Sequence, residues 1–279
     1  MRFIGLTLAA LALSGCTTMQ IGEGSFIRPD KPDAKASAVR LDVQALLPGA
    51  RVDDAEIASA DGAVLRGVIA RQPGSTVTVL YFPGNAFHLD RHGKELLPLL
   101  ASCGTSVAVF DYRGYGRSSG VPTVENMAAD ALRVFDDVSK RQGGSVIVHG
   151  QSLGSFMAAH VAHERPQAAG LVLEATATTV TDWANANVPW YAQPFLELDI
   201  AGSLKGIDNV AAVSTYRGRS LVLAGERDTV TPPALGRRVY AALPGTRKQW
   251  LLVDGASHNS IFGSAALMPA YCAFVNAGS

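Results

Sequence analysis

An imbalance of charge is the first thing this 279-residue sequence lacks: 24 Lys and Arg stand against 24 Asp and Glu. Phosphate binding needs clustered positive charge, so with no basic excess and no Lys/Arg run, nucleic acid is not an expected partner. Cysteine is scarce as well. Three residues without C-x-x-C spacing exclude a zinc ribbon, a redox dithiol and a disulfide-dense scaffold. There is no Walker A loop and no G-x-G-x-x-G after a strand, and neither a metal nor an organic cofactor is expected. What is present is apolar material: 48% of residues are hydrophobic and 17% charged, the balance of a globular chain with a core to bury.

Long hydrophobic runs are also wanting. The apolar stretch 3–13 has eleven residues, too few to cross about 30 Å of hydrocarbon, but the length suits the h-region of a secretory leader behind Arg2. It ends Leu13-Ser14-Gly15-Cys16, which resembles the lipobox of bacterial lipoproteins, where cleavage precedes a Cys whose thiol carries diacylglycerol. The expectation is a leader over 1–15, a lipidated Cys16, and a tether over 16–50 rich in Pro and small polar residues, with Phe26 and Ile27 able to pack on the domain. That places the protein in the bacterial cell envelope, held by its lipid, with Thr17 after the Cys hinting at the periplasmic face of the outer membrane. The alternative is an ordinary leader with an incidental Cys.

From about residue 51 the pattern alternates. Short β-branched and aliphatic runs at 64–70, 77–82, 107–110, 146–149, 171–173, 221–224 and 249–253 are separated by helix-length segments near 87–102, 123–142, 153–164, 233–243 and 259–275. Runs that do not alternate in polarity belong to strands buried on both faces, and strands separated by helices make a parallel sheet. The expected fold is α/β: one domain over 51–279, with about eight mostly parallel strands and an antiparallel hairpin near 52–70. The spacing breaks once. Nearly fifty residues separate the runs at 171–173 and 221–224, and Trp183, Trp190, Tyr191 and Phe195 among them mark a cap, about 177–206, over a site. Its aromatics, Trp190 in particular, are expected to line an acyl pocket, the alternative being that they only fasten the cap to the body.

G-x-S-x-G occurs twice. Gly150-Gln151-Ser152-Leu153-Gly154 follows an apolar strand and opens a small-residue helix, whereas Gly116-Arg117-Ser118-Ser119-Gly120 runs into Val121-Pro122. A nucleophilic serine needs the sharp strand-to-helix turn, so Ser152 is the candidate and Ser118 a loop residue. Its base must follow the acid in chain order; of six histidines only His258 does. Asp228, in the loop after the run at 221–224, is the candidate acid, with Glu174 and Asp254 as competitors. The oxyanion donors expected are the backbone amides of Leu153 and Asn85, the latter in the turn Phe82-Pro83-Gly84-Asn85-Ala86.

These motifs, with Phe110-Asp111-Tyr112-Arg113-Gly114-Tyr115-Gly116-Arg117-Ser118, Gly225 to Pro232 and Gly255 to Asn259, resemble the α/β-hydrolases over roughly 52–279. The likeness is greatest to the small serine hydrolases of the bud-emergence type, relatives of the abhydrolase-domain depalmitoylases. The resemblance implies the α/β-hydrolase fold and an acyl-enzyme mechanism on carboxylic esters or thioesters, with Ser152, His258 and Asp228 as triad. It also implies that Asp111 and Arg113 fix loops around the site. In that family a His-Gly usually stands where this chain has Pro83-Gly84, and the histidine supports the oxyanion loop. A serine peptidase of the same fold, and a non-catalytic envelope lipoprotein using the fold as a binding scaffold, are the other readings. The partners expected are a small acyl ester or thioester and the membrane, with the chain itself a monomer. Whether Cys103 and Cys272 pair is left open by the sequence.

Overall fold

The computed structural model describes residues 17–30 and 39–277. The expected leader and the lipidation site Cys16 lie outside them. Ten strands form among the described residues: β1 Thr17–Ile21, β2 Arg51–Ala58, β3 Val64–Arg71, β4 Val77–Phe82, β5 Ser106–Phe110, β6 Ser145–Gln151, β7 Gly170–Glu174, β8 Leu196–Ile200, β9 Ser220–Gly225 and β10 Lys248–Val253.

Eight of them make one sheet in the order β10-β9-β7-β6-β4-β5-β3-β2. The hairpin β2–β3 and the β3–β5 pair are antiparallel, and every other pair is parallel. This is the mostly parallel α/β sheet that the alternation of short apolar runs predicts, in the α/β-hydrolase arrangement that the resemblance implies. The strands β4, β5, β7 and β9 are buried throughout, because helices cover both faces of the sheet and no residue of these strands faces water. Alternate residues feed two apolar layers. Leu80 and Phe82 join the helices Val124–Gln142, Leu153–Glu164 and Pro233–Ala242, while Val79 and Tyr81 join Leu89–Ala101 and Met268–Asn276.

Local chemistry sets the helix limits. Val124–Gln142 begins in a capping box, in which Thr123 Oγ1 accepts from the Asn126 amide at 3.2 Å and Asn126 Oδ1 accepts from the Thr123 amide at 2.7 Å. It ends at Gly143, whose φ of 63° is the left-handed conformation that glycine adopts freely. The final helix is shorter than the sequence pattern predicts. Residues 259–267 form turns that bury Ile261 and Phe262, and the helix Met268–Asn276 starts where Pro269 occupies its first turn. Cys272 in that helix is disulfide-bonded to Cys103, with Cα atoms 5.0 Å apart, which answers the question the sequence leaves open.

The stretch expected as a tether carries structure on both sides of 31–38. β1 pairs in parallel with β8, in the register Thr17 with Leu196 to Ile21 with Ile200. Phe26 and Ile27 are buried in the core, and Asp42 caps a single turn at Val43–Leu46. Pairing with β8 satisfies backbone groups that an exposed tether would leave to water, and each buried apolar side chain adds about 1.5–3 kcal/mol. The segment between β7 and β9 supplies the partner strand β8 together with the helix Val180–Ala186, so the N-terminal arm and the cap form one layer.

Candidate active site

The turn at Ser152 is built by exclusion of side chains. Ser152 has φ 54° and ψ −115°, a strained conformation between the end of β6 and the helix Leu153–Glu164. A Cβ on Gly150 would sit 2.1 Å from the Gly154 carbonyl oxygen, and one on Gly154 would sit 1.9 Å from that of Phe82. Both flanking glycines are therefore required, and they explain the G-x-S-x-G spacing around this serine. The second motif does something else. Ser118 Oγ donates to the Asp111 carbonyl at 2.7 Å and accepts from the Arg66 amide at 2.8 Å, which ties a loop to β3.

Three side chains from three strand ends meet in a row. His258 Nε2 lies 3.0 Å from Ser152 Oγ, and His258 Nδ1 lies 2.8 Å from Asp228 Oδ2. Asp228 sits in the turn after β9, fully buried at its side chain. Its Oδ1 accepts from the amides of Val230 and Thr231, each at 2.9 Å, and Oδ2 accepts from Thr231 Oγ1 at 2.8 Å. Burial alone pushes this carboxyl upward. The hydrogen bonds from His258 and Thr231 pull harder, and the group is held below the ordinary carboxylate range. Thr231 also stands 3.1 Å from His258 Nδ1 and so braces both partners. Its signal was in the sequence, as the hydroxyl three residues after Asp228 in an Asp-x-x-Thr-Pro turn.

Neither competing acid is bonded to His258. Glu174 Oε2 lies 3.2 Å from Nε2 of the buried His149, whose Nδ1 meets the Tyr271 hydroxyl at 3.1 Å. Asp254 is exposed in the turn after β10. Among the described residues, the backbone N–H groups of Leu153 and Asn85 donate to no protein acceptor, and both residues line the cavity at Ser152. Leu153 is also the first residue of its helix, where N–H groups are free to bind an anion.

The loop carrying Asn85 is braced without a histidine. Tyr112 donates its hydroxyl to the Pro83 carbonyl at 2.9 Å, in the place where the family resemblance puts His. Asn85 Nδ2 donates to the Phe26 carbonyl at 2.9 Å; Oδ1 accepts from the Tyr115 hydroxyl at 2.9 Å and the Arg28 amide at 3.2 Å. Sequence reasoning missed this contribution of the N-terminal arm, because contacts between residues 57 to 59 positions apart leave no periodic signal. Asp111 and Arg113 act on the loops. Asp111 accepts from the Leu89 and Arg117 amides, and burial pushes its carboxyl up to about 6. Arg113 reaches both oxygens of the buried Asp130 and also Asp61.

A cavity of about 250 Å³ opens over Ser152, lined by Phe26, Phe156, Trp183, Val230 and Arg28 among others. Of the cap aromatics, Trp183 lines it and Trp190 does not, so the acyl-pocket expectation for Trp190 is corrected. The turn after the helix Val180–Ala186 carries Trp190 into solvent, while the helix itself holds Trp183 edge-on against Phe26 with ring centroids 5.8 Å apart. A second cavity of about 540 Å³ shares Gly84, Asn85, Gln151 and Asn259 with the first and continues past Phe87, Leu96, Leu99 and Phe262. No group of His, Cys, Asp and Glu among the described residues could hold a metal ion.

Comparison with known proteins agrees with this architecture. Residues 75–205 match the family described as serine aminopeptidase, S33. An uncharacterized protein of Mycobacterium tuberculosis H37Rv is 35% identical over 190 residues, 67% of this chain and 64% of that protein. The lysophosphatidylserine lipase ABHD12 of Macaca fascicularis is 34% identical over 184 residues, 60% of this chain and 45% of the lipase. The chain thus spans less than two thirds of the length of these curated relatives. Among solved structures, the Pyrococcus furiosus esterase Pf2001 superposes with a TM-score of 0.70 over 87% of this chain and 98% of its own, at 16% identity. Acetyl xylan esterase 1 from Thermoanaerobacterium sp. gives a TM-score of 0.62 over 87% of each chain, also at 16% identity.

Proposed function

We propose that this chain, a member of the α/β-hydrolase superfamily, is a serine hydrolase that cleaves carboxylic ester or thioester bonds through an acyl-enzyme intermediate. The observation that carries the proposal is the hydrogen-bonded row Asp228–His258–Ser152, at 2.8 and 3.0 Å. In the first half-reaction Ser152 Oγ attacks the carbonyl carbon and its proton passes to His258 Nε2. Asp228 holds the Nδ1 proton, which fixes the tautomer and stabilises the imidazolium. The developing oxyanion meets the N–H groups of Leu153 and Asn85. Collapse expels the alcohol or thiol with the proton from His258. Water then repeats the sequence on the acyl-enzyme and frees the acid.

The cavity chemistry supports the substrate class. Phe26, Phe156, Trp183 and Val230 offer apolar walls to an acyl chain, and about 250 Å³ suits a short to medium one. Similarity to a lipase and likeness of fold to two esterases favour ester cleavage; the S33 match favours peptide cleavage as the second reading. The proposal includes the cell envelope as location, with Cys16 acylated. In its support, the Cys103–Cys272 disulfide suits an oxidising compartment. The test of the chemistry is a set of p-nitrophenyl acyl esters of graded length beside aminoacyl p-nitroanilides. Ester turnover that depends on Ser152, with little anilide turnover, is expected; the reverse preference would make the protein a peptidase. Cys16→Ser should abolish metabolic labelling by an alkynyl fatty acid, and an unlabelled wild type would remove the anchor.

A further inference from the structure

The cap turns three aromatic side chains away from the site. Trp190, Tyr191 and Phe195 are 81%, 65% and 68% exposed, and none of them lines the cavity at Ser152. Single exposed apolar residues are ordinary, but three within six positions form a patch, and such patches mark interaction surfaces. The Trp190 and Tyr191 rings meet edge to face with centroids 5.9 Å apart. Phe195 directly precedes β8, and Met19, 48% exposed, lies on the paired strand β1.

The register of β1 on β8 places the N-terminal segment at this patch. Thr17 is the partner of Leu196, the residue after Phe195. The uncharged apolar stretch 3–13 ends four residues before Thr17, and four residues reach at most about 14 Å. Under the anchored reading proposed above, hydrocarbon supplied by that stretch or by a lipid on Cys16 would meet a bilayer within that reach of Thr17. Trp and Tyr favour the water–hydrocarbon boundary, since one part of each ring is apolar and the other hydrogen-bonds. Charge narrows the kind of surface. Glu197 and Asp199 point outward from β8 against the single base Lys205 of segment 177–206, while the third acid there, Asp182, is paired with Arg238 at 3.0 Å. Such an edge is repelled by anionic headgroups and tolerates zwitterionic ones.

We infer that the cap edge formed by Trp190, Tyr191 and Phe195 docks on a zwitterionic phospholipid bilayer and seats the body of the protein on the membrane. The docking rests on the membrane-anchored part of the proposed function and is independent of its chemistry.

The experiment uses the full protein reconstituted with phosphatidylcholine vesicles, with and without dibromo-phosphatidylcholine as a quencher of tryptophan emission. Bromolipid should remove roughly one third of the wild-type emission, the share of one tryptophan in three. Trp190→Phe should abolish most of that loss, because Trp183 and Trp250 pack against the protein. Tyr191→Ser with Phe195→Ser should reduce quenching while leaving Trp190 in place. Replacing part of the phosphatidylcholine with phosphatidylglycerol should also reduce it. Ser152→Ala should be quenched like the wild type, so a failure of the enzymatic proposal would leave this result standing. Equal quenching of wild type and Trp190→Phe, or none in either, would overturn the docking.

Discussion

The ends of β6, β9 and β10 and the layer made by the N-terminal arm with the cap build the same cavity by different means. At the ends of β6 and β9 the side chains are held by near neighbours in sequence, Ser152 by two glycines two positions away and Asp228 by amides two and three positions on, and Asp228 with Thr231 then holds His258. In the arm and cap, position comes from distant pairing, with β1 on β8 about 179 residues away and Phe26 against Trp183. Local constraint makes a geometry that survives loss of remote contacts. Remote pairing makes one that depends on the whole layer staying docked.

The largest effect should fall on the locally built side. Asp228→Asn leaves the imidazole in the wrong tautomer and should lower kcat by about 10⁴ with KM little changed. Glu174→Gln, which touches His149 and not His258, should lower kcat less than about tenfold while destabilising the fold. Steady-state kinetics on one ester decides between them. The reverse ranking would assign the acid to β7 and break the contrast.

The next effect belongs to the fold as a whole. Replacing Cys103 and Cys272 together by Ala releases a cross-link spanning 169 residues and should cost about 2–5 kcal/mol in urea unfolding. Activity at low denaturant should persist, since neither cysteine lines the cavity at Ser152.

Phe26→Ala probes the remotely built side. It removes a buried ring packed on Phe156 and Trp183, which should cost about 3 kcal/mol. It also loosens the segment whose carbonyl holds the Asn85 side chain, so kcat should fall along with stability. A loss of stability with kcat intact would mean that the Asn85 loop stands without the arm.

What the sequence made legible follows this division. Buried strands, the glycine-flanked elbow and the order Ser152, Asp228, His258 all leave short-range signatures of period, spacing or residue size. The arm leaves none, because residues 17–30 have neither helical nor strand periodicity and take their conformation from remote partners such as β8, the Asn85 loop, Phe156 and Trp183. The same blindness placed Trp190 in the pocket. Composition identified an aromatic cap, but which ring faces inward depends on the Val180–Ala186 helix and the turn behind it. The pattern predicts too long a final helix because Ile261, Phe262 and Leu267 are buried in turns rather than in a helix.

The smallest effect sharpens the distinction inside the cap. Trp183→Ala enlarges the cavity over Ser152 and should reduce kcat/KM roughly tenfold for medium acyl chains and less for acetyl esters. Trp190→Ala should leave turnover of soluble esters unchanged at every chain length. Equal losses for the two variants would show that the cap closes as a unit in solution.

The central claim is that Ser152 is an activated nucleophile. Intact-protein mass spectrometry after treatment with a fluorophosphonate measures it directly. One adduct per chain, mapped to Ser152 and lost in both Ser152→Ala and His258→Ala, is the expected result. An unlabelled wild type, or an adduct that persists in Ser152→Ala, would contradict the account.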